Sequence, residues 1–84
     1  MDGYILDGRK LRAVRERKGY RQAQLSREAN VSRSYLKEIE GRLSRPEHPN
    51  YQPTAVVVHR IANTLGVDFT EFCDPITDDE VDAA

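Results

Sequence analysis

The sequence predicts an all-α domain of five short helices, on three observations. Apolar residues recur at helical spacing in separate stretches, and capping and stop residues bound those stretches. No run alternates apolar and polar side chains as a half-buried strand does; Val56–Val58 comes nearest but sits in a helical frame.

Asp7 is placed to cap the first helix, with Leu6 before it and Leu11 inside forming a hydrophobic staple. Leu11 and Val14 carry its buried face, and Gly19 stops it. A second helix runs from about Gln22 to Ala29 with Leu25 and Ala29 on one side. Asn30 tolerates a left-handed backbone and suits a tight turn. Ser32 caps a third helix to about Glu40, burying Leu36 and Ile39. Pro46, Pro49 and Pro53 then make a loop. Thr54 caps a fourth helix built on Ala55, Val58, Ile61, Ala62 and Leu65, ended by Gly66. Val56 and Val57 lower its intrinsic propensity slightly, but its apolar face decides. Asp68 and Glu71 form a capping box for a last turn, with Val67 and Phe72 at the staple positions and Pro75 as the stop.

With 84 residues there is room for one domain, assigned to residues 1–73 with an extended loop over 41–53. Residues 74–84 are an acidic tail without a packing face, expected to be disordered. No apolar run is long enough for a membrane span, and no signal peptide is expected. The single Cys73 allows neither an internal disulfide nor a zinc cluster, so a reducing, cytoplasmic setting is expected.

The formal net charge of −1 conceals a segregation. All thirteen Lys and Arg residues lie between Arg9 and Arg60, a stretch with five acids and a formal charge of +8. The flanks hold nine acids and no base, giving −9. A polyanion responds to the local potential, not to the bulk isoelectric point, so a basic surface for nucleic acid is expected. Solvated helix faces are the plainer alternative.

Gln22–Ala29, the turn at Asn30–Val31 and Ser32–Glu40 fit a helix-turn-helix. Leu25, Ala29, Val31, Leu36 and Ile39 lock the pair, and small Ala29 permits close approach. Arg33, Ser34, Lys37 and Glu38 then face outward, on a helix sized for a major groove. Arg33 suits guanine, Lys37 suits guanine or a phosphate, and Glu38 suits a cytosine amine; Ser32 and Ser34 discriminate less. Spacing alone leaves open an ordinary two-helix corner with a polar exterior.

From Gly8 to Phe72 the chain resembles the Cro and phage-repressor type of helix-turn-helix domain, also called Xre-like and lambda-repressor-like. The resemblance rests on Gly8, Leu11, Arg12 and Arg15, then Gly19–Leu25, Ala29–Glu40 and Ile61–Val67. It implies a compact five-helix fold and a sequence-specific DNA-binding regulator, a repressor that inserts its third helix into double-stranded DNA. By that resemblance Ser32, Arg33, Ser34, Lys37 and Glu38 read bases. Gln22 holds a phosphate, and Arg42 and Arg45 touch further phosphates. Tyr35 either packs on the helix edge or reaches the backbone with its hydroxyl. Arg15 and Glu40 match a partly buried ion pair. A homodimer is implied, with Val67, Phe69 and Phe72 as candidate contacts.

Three departures from the pattern stand out. Arg21 replaces a small capping residue, giving up a cap worth about 1 kcal/mol but placing a cation near phosphate. Asn30 stands where glycine is common. Gly41 comes early, and the following loop, with Arg42, Arg45, His48 and Tyr51, is several residues longer than usual.

Catalysis finds little support in the sequence. His48 and His59 have no partner at ligand spacing, Asp74 discourages a Cys73 thiolate, and no Gly-rich phosphate loop is present. No cofactor, metal or enzymatic activity is expected. A DNA-binding antitoxin with a protein partner, and an interaction module without DNA binding, are the alternatives.

Overall fold

The computed structural model describes residues 3–42 and 53–75. Its helices are α1 (Gly8–Arg17), α2 (Gln22–Ala29), α3 (Arg33–Arg42) and α4 (Ala55–Leu65). The caps explain these bounds. The Asp7 carboxylate accepts from the Arg9 and Lys10 N–H groups, and the Ser32 hydroxyl accepts from Tyr35 N–H at 3.0 Å. The Thr54 hydroxyl accepts from Val57 N–H at 3.4 Å. Asn30 takes the left-handed conformation, φ 57°, between α2 and α3, as Gly66 does after α4. Arg21 precedes α2 without a side-chain cap.

The expected fifth helix is instead a single 3-10 turn, Phe69–Glu71. Its backbone bonds, Glu71 N–H to Asp68 O and Phe72 N–H to Phe69 O, span three residues, too few to close an α turn. Asp68 caps it by accepting from Thr70 N–H and Oγ1, which holds the Asp68 carboxyl below its ordinary pKa. Glu71 does not close the capping box with its side chain; it accepts from Arg17 at 2.6 Å.

Two strands that the sequence does not announce accompany the helices. β1 (Tyr4–Leu6) pairs antiparallel with β2 (Cys73–Pro75), with Leu6 opposite Cys73. The Asp7 N–H donates to the Phe72 carbonyl at 2.8 Å, continuing the pairing. Both Leu6 and Cys73 are buried, so the two ends close the base of the core. Asp74 and Pro75, assigned by sequence to the tail, therefore belong to the folded unit; proline is admissible at a sheet edge.

The core joins all the helices through Leu11, Val14, Leu25, Ala29, Leu36, Ile39, Val58, Ile61 and Leu65. Phe72 plugs it completely, at 0% exposure. α3 continues through Gly41 and Arg42, two positions into the expected loop. Its end is held by α1: a Cβ on Gly8 would stand 2.5 Å from the Ile39 carbonyl oxygen and 2.7 Å from that of Glu40. Only glycine lets α1 begin that close to α3. The Arg42 side chain, Arg45, His48, the remainder of the loop and the tail from residue 76 lie outside the described residues.

Burial pushes the Cys73 thiol up to about 11 from an ordinary 9.0, with Asp74 adding to the effect. Native protein is expected to react with a thiol reagent only as fast as it unfolds, and urea should accelerate labelling in step with loss of helicity. The same shift makes folding stability decline as pH rises from about 9 toward about 11, where only the unfolded chain loses the proton readily.

Candidate nucleic-acid interface

The helix-turn-helix pair is fixed from beneath by apolar contacts and from one side by a polar network. Leu25, Ala29, Val31, Leu36 and Ile39 are all buried between α2, α3 and the rest of the core. In the turn, the Ser26 hydroxyl donates to the Val31 carbonyl, and Val31 N–H donates to Ser26 O at 3.0 Å. These bonds satisfy backbone groups that the turn removes from helical pairing.

Arg15 and Glu40 lie at the centre of the polar network. Arg15 Nε donates to Glu40 Oε2 at 2.7 Å and Nη2 to Oε1 at 3.0 Å, a bidentate pair with side chains only 9% and 5% exposed. Arg15 Nη1 also donates to the Tyr20 carbonyl at 2.9 Å. The bonded Glu40 carboxylate raises the Arg15 pKa further above its ordinary value, so the guanidinium stays charged. Gln22 Nε2 donates to Glu40 Oε1 at 3.1 Å. One carboxylate thus gathers α1, the start of α2 and the end of α3. Tyr20 extends the framework to α4, its hydroxyl donating to Thr64 O at 3.2 Å.

On this frame the outer side of α3 is open. Arg33, Ser34 and Lys37 are exposed, as is Ser32, whose hydroxyl oxygen is engaged as the cap. Glu38 is half-buried and makes contacts of its own, so it stands less far out than its neighbours. Tyr35 is half-buried and packs against the core. Beside the exposed side chains lies a groove of about 600 Å³, lined by Arg12, Arg21, Arg33 and Lys37 together with Gln22 and Glu40. Among the described residues, Arg15 is the fifth cation and Glu40 the one carboxylate of its lining. A concave surface with that balance concentrates positive potential.

The C-terminal segment sharpens this asymmetry. Glu71 pairs with Arg17, and Asp74 pairs with Lys10, raising the Lys10 pKa. Acids from the flank therefore cover bases of α1 that do not line the groove, while within the groove Arg15 pairs with Glu40 and Arg12 with Glu16.

The structure does not bring all the sequence-predicted site residues together. Arg33, Lys37, Arg21 and Gln22 share the groove, and Arg15 and Glu40 pair. Phe72 is excluded as a surface contact, because Phe72 is consumed by the core. Val67 and Phe69 are partly buried against the core, with the Phe69 ring edge-on to Tyr4 at 4.9 Å and to His59 at 5.6 Å. Arg12 joins the groove too; the sequence counted it in the family pattern but gave it no role in the site. The stripe Gly8, Arg12, Arg15 at helical spacing was the available signal. Among the described residues no cluster of His, Cys, Asp or Glu is placed to hold a metal, and no helix is long and apolar enough to cross a membrane.

The family model described as a helix-turn-helix domain matches residues 8–72, and the chain belongs to that family. Over 70 residues it is 41% identical to the HTH-type transcriptional regulator SlrR of Bacillus subtilis (strain 168), covering 83% of this chain and 42% of that one. It is 33% identical over 60 residues to the immunity repressor protein of Bacillus phage phi105, covering 71% of this chain and 37% of that one. The chain thus spans about two-fifths of the length of each. It also resembles the structure of SinR, the master regulator for biofilm formation, in complex with DNA. That match has a TM-score of 0.64 at 26% identity and covers 76% of this chain and 95% of the other.

Proposed function

We propose that this domain is a sequence-specific DNA-binding transcriptional regulator that acts as a repressor by placing α3 in the major groove. The observation that carries the reading is the exposed row Arg33, Ser34 and Lys37 beside a groove whose described lining holds five cations and one carboxylate. Base edges in the major groove present distinct donor and acceptor patterns, and a rigid helix can meet them without unstacking. Arg33 donates two hydrogen bonds to a guanine, while Lys37, Ser34, Ser32 and Glu38 read neighbouring positions. Arg21, Gln22, Tyr35 and, from the segment beyond Gly41, Arg42 and Arg45 hold the sugar-phosphate backbone and set the register. Glu40 keeps the Gln22 amide in place for that task. The named relatives, a transcriptional regulator and an immunity repressor, support the regulatory role.

One module makes few base contacts. Two copies on half-sites about 34 Å apart, one turn of the duplex, supply the affinity and specificity that one lacks. Val67 and Phe69 remain the candidate contacts for that dimer. Repression then follows from occupying a promoter.

Selection of bound duplexes from a random pool tests the reading, and a preferred, palindromic sequence is the expected outcome. A pool that stays random through repeated rounds contradicts it. On the selected sequence, Arg33→Ala is expected to cost about 1–3 kcal/mol and to relax preference at one base pair. Gln22→Ala should weaken all duplexes alike. Equal loss of preference in both variants contradicts the division of roles.

A further inference from the structure

We infer that Arg12, on α1, is an additional phosphate-binding residue, which brings the first helix into the DNA contact; the inference rests on the regulator reading above. α1 is docked on the end of α3 by residues of one stripe. Gly8 lies against the Ile39 and Glu40 carbonyls, and Arg15 is locked onto the Glu40 carboxylate. Arg12 lies on the same stripe, one turn from each. Unlike them it is spent on no buried contact: its side chain is 65% exposed and lines the groove with Arg21, Arg33 and Lys37.

Its partner is Glu16 on its own helix, 3.5 Å away and itself 57% exposed. An exposed pair at that distance is readily exchanged for a phosphate, which offers Arg a bidentate acceptor of higher charge. Gly41 also lines the groove, and among the described residues no atom lies within 4 Å of where its Cβ would stand. Because two anchors fix α1 against α3, Arg12 and the base-reading row move as one rigid body. A phosphate held by Arg12 thus constrains how α3 enters the groove, which a cation on a flexible arm does not.

The test is a salt titration of binding to a labelled random-sequence duplex, comparing the unaltered protein with Arg12→Gln, Arg12→Lys and Arg60→Gln. Arg60 is exposed on α4 and lies outside the groove, so its variant removes the same charge elsewhere. Arg12→Gln is expected to bind several-fold more weakly, with the slope of log affinity against log salt shallower by about 0.9, the loss of one phosphate contact. Arg12→Lys should keep most of the slope, and Arg60→Gln all of it. An unchanged slope for Arg12→Gln, or an equal change for Arg60→Gln, overturns the assignment while leaving the regulator reading intact. Absence of salt-dependent binding by the unaltered protein overturns the regulator reading itself.

Discussion

Glu40→Ala is expected to destabilise the folded domain by about 3 kcal/mol, the lower end of the range for breaking a buried ion pair. The lower end applies because the pair borders the groove, where water reaches its rim. The loss comes mainly from the Arg15 guanidinium, left almost fully buried with only the Tyr20 carbonyl as acceptor. Urea denaturation measures it. The double variant Arg15→Met with Glu40→Leu should recover most of the stability, since the attraction within such a pair largely repays desolvation and little more. DNA binding should not recover with it, because Gln22 has then lost the acceptor that holds its amide. A single-variant loss below about 1 kcal/mol, the scale of an exposed pair, contradicts a buried network centred on Glu40.

Phe72→Ala should cost more, about 3–5 kcal/mol, from lost burial and the cavity left behind. The ring is 0% exposed, among Leu, Ile and Val side chains of the core. Its carbonyl accepts from Asp7 N–H, so the same residue joins β2 to the cap of α1. The destabilisation should be the same at low and high protein concentration, as a lesion within one chain is. A loss that vanishes on dilution would instead return Phe72 to a contact between copies. Phe69→Ala, by contrast, removes a partly buried ring and should perturb folding less.

Much of the fold could be read in the sequence, because its punctuation is local. Asp7, Ser32 and Thr54 cap helices through their own side chains, and Asn30 bends the backbone within a single residue. These signals need no knowledge of the rest of the chain. What was not legible depends on distant partners. β1 and β2 are three residues each, too short to show alternation, and form only because the core brings Leu6 beside Cys73. The same contact places Asp74 and Pro75 in the domain. Gly41 falls just past the end that the sequence suggests for α3, yet the helix runs through it, and α1 abuts that end at Gly8.

The site shows the same division. That Arg33 and Lys37 share an exposed face follows from helical spacing alone. Pairing of Arg15 with Glu40 came from the family pattern, not from periodicity. That Glu40 also binds Gln22 is a matter of three dimensions, as is the diversion of Glu71 and Asp74 onto Arg17 and Lys10. Arg12 was hidden for a related reason. On a helical wheel it is one more exposed cation, and only the docking of α1 shows which cations line the groove.

If the outward side of α3 reads base edges in the major groove, single acceptor atoms there must matter. Replacing a guanine of the selected site by 7-deazaguanine removes the N7 acceptor and leaves pairing intact, which isolates one contact. At the guanine facing Arg33, the expected loss is about 1–3 kcal/mol for the unaltered protein and none for Arg33→Ala. Equal losses in the two proteins, or none at any guanine of the site, would contradict that reading.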